Sequence, residues 1–157
     1  MSVAVAETLE ESARRIGHHA WIELRLFETL GAWVTDVPEL EAKAVVATQS
    51  YHHAWHAELW HGLLPSVPHL HAPDLVVPAD PATAARIDSL GAATGTVARL
   101  ALLYEDVLPG LIAAYSDHLG RTTPVTDGPT IRALRLVLAD EEEDARTGEA
   151  LLRSLRR

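Results

Sequence analysis

HGLLPSVPHLHAPDLVVPADP, residues 61–81, decides how this chain folds. Prolines fall at positions 65, 68, 73, 78 and 81. Each one removes a backbone donor and crowds the turn before it, so no long helix can run through the stretch. The chain on either side favours helix, because Ala, Leu and Val dominate a sequence that is 48% apolar. Two shorter interruptions, Thr35-Asp36-Val37-Pro38 and the loop from Gly120 to Pro129, complete the punctuation. Four helical segments are expected: about Ala4–Val34, about Glu39–Leu64, about Pro81–Leu119, and one opening at Asp127-Gly128-Pro129 and running to about Leu155. Pro38 suits the first position of the second helix, and Asp80-Pro81 an N-cap and first residue of the third. Pro109-Gly110 should kink or divide the third helix. Short loops make helices 1 and 2, and helices 3 and 4, antiparallel neighbours. The long connection lets helix 3 run parallel to helix 2, with a plain up-down-up-down bundle as the alternative.

The 157 residues suit one all-α domain, 1–157, with a core of its own. A formal net charge of −9 without a basic cluster excludes the phosphate-neutralising surface that nucleic-acid binding needs. Arg153, Arg156 and Arg157 instead complement the end of the last helix. The absence of cysteine excludes disulfides, thiolate metal sites and a cysteine nucleophile. The opening MSVAVAETLEESARRIG shows no signal-peptide pattern, and no apolar run is long enough for a membrane span. The expectation is a soluble cytoplasmic protein.

Helical phase sorts the polar residues, since each residue advances about 100° around the axis. Helix 1 carries an apolar seam of Leu9, Ile16, Leu26, Phe27, Leu30 and Trp33, and His19 and Glu23 fall on it. Helix 2 reads as a seam of Val45, Gln49, His52, His56, Leu59 and Leu63, with His53 and Trp60 on its flank. Glu58 and His61 have Glu-x-x-His spacing but lie off this seam, so they read as an exposed pair. Helix 3 reads as a seam of Ile87, Leu90, Thr94, Val97, Ala101, Tyr104, Leu108, Leu111 or Ile112, and Tyr115, so Tyr104 faces inward, and Glu105 flanks it. On helix 4 Glu141 is central and Asp144 flanks it, while Glu142 and Glu143 form a solvated face. Counting from the turns puts Glu23 level with Gln49–His52 and Glu141 level with Tyr104–Leu108. Carboxylates in a bundle core need a cation, a donor or a proton. His19, His52, His56, Gln49 and Tyr104 are the nearest candidates.

This layout resembles the ferritin-like superfamily, in particular small bacterial members with carboxylate-bridged metal sites. The resemblance rests on the four-helix layout, on Glu23, on the helix 2 histidines, and on PTIRALRLVLADEEED (129–144) opening the last helix. It implies a ligand set of Glu23 from helix 1, Gln49-x-x-His52 from helix 2, Glu105 or Tyr104 from helix 3, and Glu141-x-x-Asp144 from helix 4. Gln49 stands where the family has Glu, and Asp144 where it has His. His19 and His56, a turn away, can compensate.

The functional expectation is an iron- or manganese-dependent oxidase or oxygenase acting on a small organic molecule. Its metal ligands would be Glu23, His52, His56 and Glu141. His19, Glu23, His56 and Tyr104 would be catalytic, Tyr104 as a donor or redox-active neighbour. Two alternatives stand beside it. One is a metal-free enzyme in which His19 and Glu23, four residues apart on one helix, do acid–base work in a pocket lined by Trp55 and Trp60. The other is a structural bundle whose buried polar groups fix helix register. Trp21, on the outer face of helix 1, would then mark a homodimer surface.

Overall fold

A computed structural model describes residues 7–157. Their regular structure is helical: α1 (Leu9–Asp36), α2 (Leu40–Gly62), α3 (Ala72–Leu75), α4 (Pro81–Ala92), α5 (Thr96–Leu102), α6 (Leu108–Arg121) and α7 (Gly128–Leu155). A π-helical turn, Leu103–Val107, joins α5 to α6. An isolated bridge pairs Val67 with Leu70. No helix among the described residues is long and apolar enough to cross a membrane.

The helix starts follow from local chemistry. α1 begins at Leu9, later than expected, because Thr8 and Glu11 form a reciprocal capping box there. The first three residues of the expected helix, 4–6, lie outside the described residues. Asp80 caps α4 through Thr83 N–H at 2.7 Å, with Pro81 in the first turn, as the sequence suggests. Pro38 does not open α2; it precedes the cap residue, Glu39.

The third segment is irregular in two places. It breaks between Ala92 and Thr96, where Gly95 takes a φ of 83° that a side chain would resist. Thr94 and Val97 therefore turn outward, and Thr96 and Leu100 occupy the core instead. At Pro109 the irregularity takes another form, a π turn between α5 and α6. In a regular helix the proline ring would press on the Glu105 carbonyl. The π turn just before it widens the spiral, so that Leu108 N–H reaches back to Leu103 O, and the rod continues to Arg121.

Cross-contacts set the direction of each helix. Ser50 of α2 donates to Phe27 O of α1 at 2.9 Å, and farther along α2 the side chain of His53 meets Glu23, earlier in α1, so the two run antiparallel. Gln49 meets Tyr104 and Trp60 meets Tyr115, so α2 and the α5–α6 rod run parallel. His52 meets Asp144 while His56 meets Asp140, so α7 runs antiparallel to α2. The crossover of 63–95 makes the parallel pairing possible. It is not wholly irregular, because α3 lies in it and α3 packs on α1. Gly17 permits this contact: a Cβ there would run into the backbone of Leu75.

The core between the rods holds Leu26, Leu30, Trp33, Val46, Leu103, Leu108, Leu134 and Val137. Burial of side chains this size stabilises by about 1.5–3 kcal/mol each before entropy is counted. At one end, Thr96 donates to Glu39 at 2.6 Å, and Arg99 reaches Asp36 at 3.2 Å while covering the Trp33 ring. These contacts hold α5 against the α1–α2 corner.

Candidate metal centre

Midway along the bundle, four ionisable side chains meet in the core. Glu23 comes from α1, His53 and His56 from α2, and Glu141 from α7, and each is 0% exposed. One ligand-type atom from each lies within 4.8 Å of the others, a group that could hold a metal ion. His53 Nδ1 donates to Glu23 Oε2 at 2.6 Å and lies 3.3 Å from Glu141 Oε1. His56 Nδ1 lies 3.1 Å from Glu141 Oε1, and its Nε2 lies 3.0 Å from Asp140 Oδ2. Carboxylates accept only, so a His56 ring facing one at each nitrogen must carry both protons.

The electrostatics agree with that geometry. Burial alone would push both imidazoles down, but Glu141 and Glu23 outweigh it and raise His53 to about 10 and His56 to about 11. Burial would raise Glu23, but the His53 charge and hydrogen bond pull it down to about 2. The centre thus neutralises itself as two imidazolium–carboxylate pairs. It does so imperfectly: His53 Nε2 and Glu141 Oε2 are buried without a partner. An unpaired nitrogen and carboxylate oxygen in one buried cluster ask for an explanation, and a cation is one.

Surrounding side chains hold the four in place. Tyr115 of α6 donates to Glu23 Oε1, and Trp60 Nε1 donates to the Tyr115 oxygen at 3.3 Å. Burial, and then the Glu23 charge, keep the Tyr115 hydroxyl protonated well above its usual range. Gln49 is committed elsewhere. Its Oε1 accepts from Tyr104 at 2.7 Å and its Nε2 donates to the Asp144 carbonyl at 3.0 Å. The Tyr104 ring reaches this position because a Cβ at Gly148 would fall inside it.

Of the residues expected at the centre, Glu23, His56 and Glu141 are brought together. His52 is not. It is half-buried and donates to Asp144 Oδ2 at 2.8 Å, on the edge of α2 that faces α7. The phase of α2 explains this correction. Its buried ladder runs Ala42, Val46, Gln49, His53, His56, Trp60, while Val45 and Leu59 are only half-buried. Both ladders pass through Gln49 and His56. Trp60, larger than Leu59, was the signal for the right one. His19 is also displaced from its expected partner: its Nε2 meets His118 Nδ1 at 2.9 Å, and it makes no hydrogen bond to Glu23. Glu105 is exposed and paired with Arg156 at 2.5 Å. Tyr104 contacts Gln49, and Tyr115 is the helix 3 side chain that reaches Glu23. Tyr115 lay on the expected seam, but nothing local distinguished it from a core aromatic. Glu58 and His61 are exposed. Trp21 packs half-buried against the core, and Trp55 stays 42% exposed beside His56.

Comparison of the chain with protein-family models, with curated proteins and with solved structures found no match.

Proposed function

We propose that this chain is a ferritin-like bundle protein that holds a divalent iron or manganese ion between Glu23, His53, His56 and Glu141 and acts as an oxidoreductase on a small organic molecule. One observation carries the reading: two carboxylates and two imidazoles from three helices, fully buried and within 4.8 Å, with a nitrogen and an oxygen left unpaired. Two imidazoles with two carboxylates make a mixed N,O donor set that suits these metals, and the sequence holds no thiolate to favour a softer one. The helix directions support the ferritin-like connectivity, antiparallel within each half and parallel across the crossover.

The bound ion would supply one-electron redox chemistry. The protein's contribution is to orient and to exclude water. Tyr115 fixes one oxygen of Glu23, Asp140 fixes the outer nitrogen of His56, and Tyr104 with the Asp144 carbonyl keeps the Gln49 amide turned aside. Outer partners of this kind orient ligands and tune the ion. A dication with two neutral imidazoles carries the same net charge as two imidazoliums, so metal can replace protons without leaving an unbalanced buried charge.

The self-neutralised quartet also favours a second reading, a metal-free bundle in which these His–Glu pairs move protons. One experiment separates them. Protein purified without added metal is analysed for metals, stripped, and titrated anaerobically with ferrous and manganous ions under optical and elemental readout. The metal reading expects saturation near one ion per chain. Failure to retain or rebind any ion overturns it and leaves the metal-free reading. Stoichiometric zinc alone would keep the site and overturn the redox role.

A further inference from the structure

A cavity of about 220 Å³ opens between α1, α4 and α6. Its interior is lined by Ile22, Ile87, Val107 and Leu111, and its inner wall includes His19. Burial, and then the neighbouring His118, hold His19 well below its usual range, so this wall is uncharged near neutral pH. The charged groups stand at the rim, and most are already engaged. Arg15 is bound by Glu7 at 2.6 Å, and Asp117 is held by both arms of Arg121 at 2.8 and 3.2 Å. Arg86 differs. Its Nε makes a long ion pair with Asp106 Oδ2 at 3.4 Å, longer than a good hydrogen bond, and its Nη groups donate to nothing among the described residues. The guanidinium lies against α6 at Gly110, where an added Cβ would stand 3.0 Å from Nη1.

An apolar interior with a guanidinium at its mouth whose two Nη groups are unengaged has a definite complement. We infer that this cavity binds a small organic carboxylate, its acid group on the Arg86 fork and its apolar body against Ile22, Ile87 and Leu111. A planar fork matches a carboxylate through two parallel bonds, and lysine could not reproduce that fit. The volume is below the range of about 300–1,000 Å³ typical of drug-sized ligands, so the acid must be small. The far end of such a ligand meets His19. The His19 ring packs edge-on against Tyr115 at 4.7 Å between centroids, and Tyr115 donates to Glu23. Binding of the acid stands without the metal; its role as the substrate of the centre rests on the metal reading.

The test uses metal-free protein, so that loss of the metal reading cannot mimic loss of this one. Benzoate and its neutral isostere benzamide are titrated at neutral pH and low salt, followed by backbone amide NMR shifts. Saturable benzoate shifts are expected around Ile22, Ile87 and Leu111. Benzamide should bind at least about tenfold more weakly, the loss expected when a charge-assisted pair becomes neutral. Arg86→Met, at an exposed side chain, should weaken benzoate by about the same factor and leave benzamide unchanged. Ala114→Trp, at the exposed edge of the cavity, should block both. Equal binding of benzoate and benzamide, benzoate affinity indifferent to Arg86→Met, shifts elsewhere, or no saturation overturns the inference.

Discussion

Two buried histidine pairs sit within one bundle and respond to burial in opposite ways. His53 and His56 meet two carboxylates and are pushed up to about 10 and about 11. His19 and His118 meet each other, with Arg15 nearby, and are pushed down, His118 to about 4 and His19 well below its usual range. Desolvation is the largest influence on all four and always acts downward. The neighbours decide the outcome. A His–His contact needs one ring as acceptor and therefore neutral, whereas a His–carboxylate contact favours imidazolium. One pair is thus a charged cluster open to exchange with a cation, and the other is an uncharged wall.

The sharpest way to break this contrast is to remove one carboxylate. Glu23→Gln removes one of the buried carboxylate charges facing the imidazoliums and leaves one acceptor oxygen for the two donors, His53 and Tyr115, that Glu23 now serves. Breaking a buried pair in this way costs about 3–5 kcal/mol, to be read from urea unfolding of the metal-free protein. A cost under about 1 kcal/mol, the range of exposed pairs, would mean the quartet is not charged as described.

Exchanging one histidine from each pair tests function next. His53→Leu should abolish metal binding, and His118→Leu should leave it within a few-fold, both read by ferrous titration. The second change leaves the buried His19 Nε2 without its partner, about 1–3 kcal/mol of stability.

Metal uptake should be linked to pH. Both imidazoles hold protons at neutral pH, so loading the metal-free protein should release about two protons per ion, and affinity should rise steeply with pH. Calorimetry in buffers of different ionisation enthalpy reads the number directly. Uptake without proton release would overturn the charge assignment.

The smallest effect is the pH profile of the metal-free fold. For His53 and His56 the folded value is raised. Their stabilisation is complete below about 6.5 and is lost as pH rises toward about 10 and 11. For His118 the folded value is lowered, so stability is lost as pH falls from about 6.5 through about 4, with His19 acting in the same direction. Glu23, lowered to about 2, loses its contribution only as pH falls from about 4.5 through that value. Thermal unfolding across pH should peak near 6.5, and His118→Leu should flatten the acid side alone.

Much of the centre was legible by phase. Glu23 and Glu141 stand on apolar seams at matching depth, and a buried carboxylate implies a buried cationic partner. His56 lies on either reading of the α2 seam. His53 was missed because a seam drawn through Val45 and Leu59 and one drawn through Val46 and Trp60 have the same spacing and differ by a single residue. No rule of periodicity chooses between them; the volume of Trp60, buried against Tyr115, does. His19 and Glu23 stand four apart on one helix, a spacing that lets them touch. Tertiary packing paired His19 with His118 instead, 99 positions away.

What the sequence determined alone was the set of helices and their punctuation. Propensity, caps and proline are local, and they place α2, α7, the end of α1 and the start of α4 within a few residues. The break at Gly95, and the π-turn form that the irregularity at Pro109 takes, were visible only in the tertiary structure. So was the identity of the centre. Which face of a helix turns inward depends on the volumes that must fit between four rods at once. The charge of a buried imidazole depends on neighbours contributed by other helices. Both are properties of the packed whole, and a linear chain does not contain them until it folds.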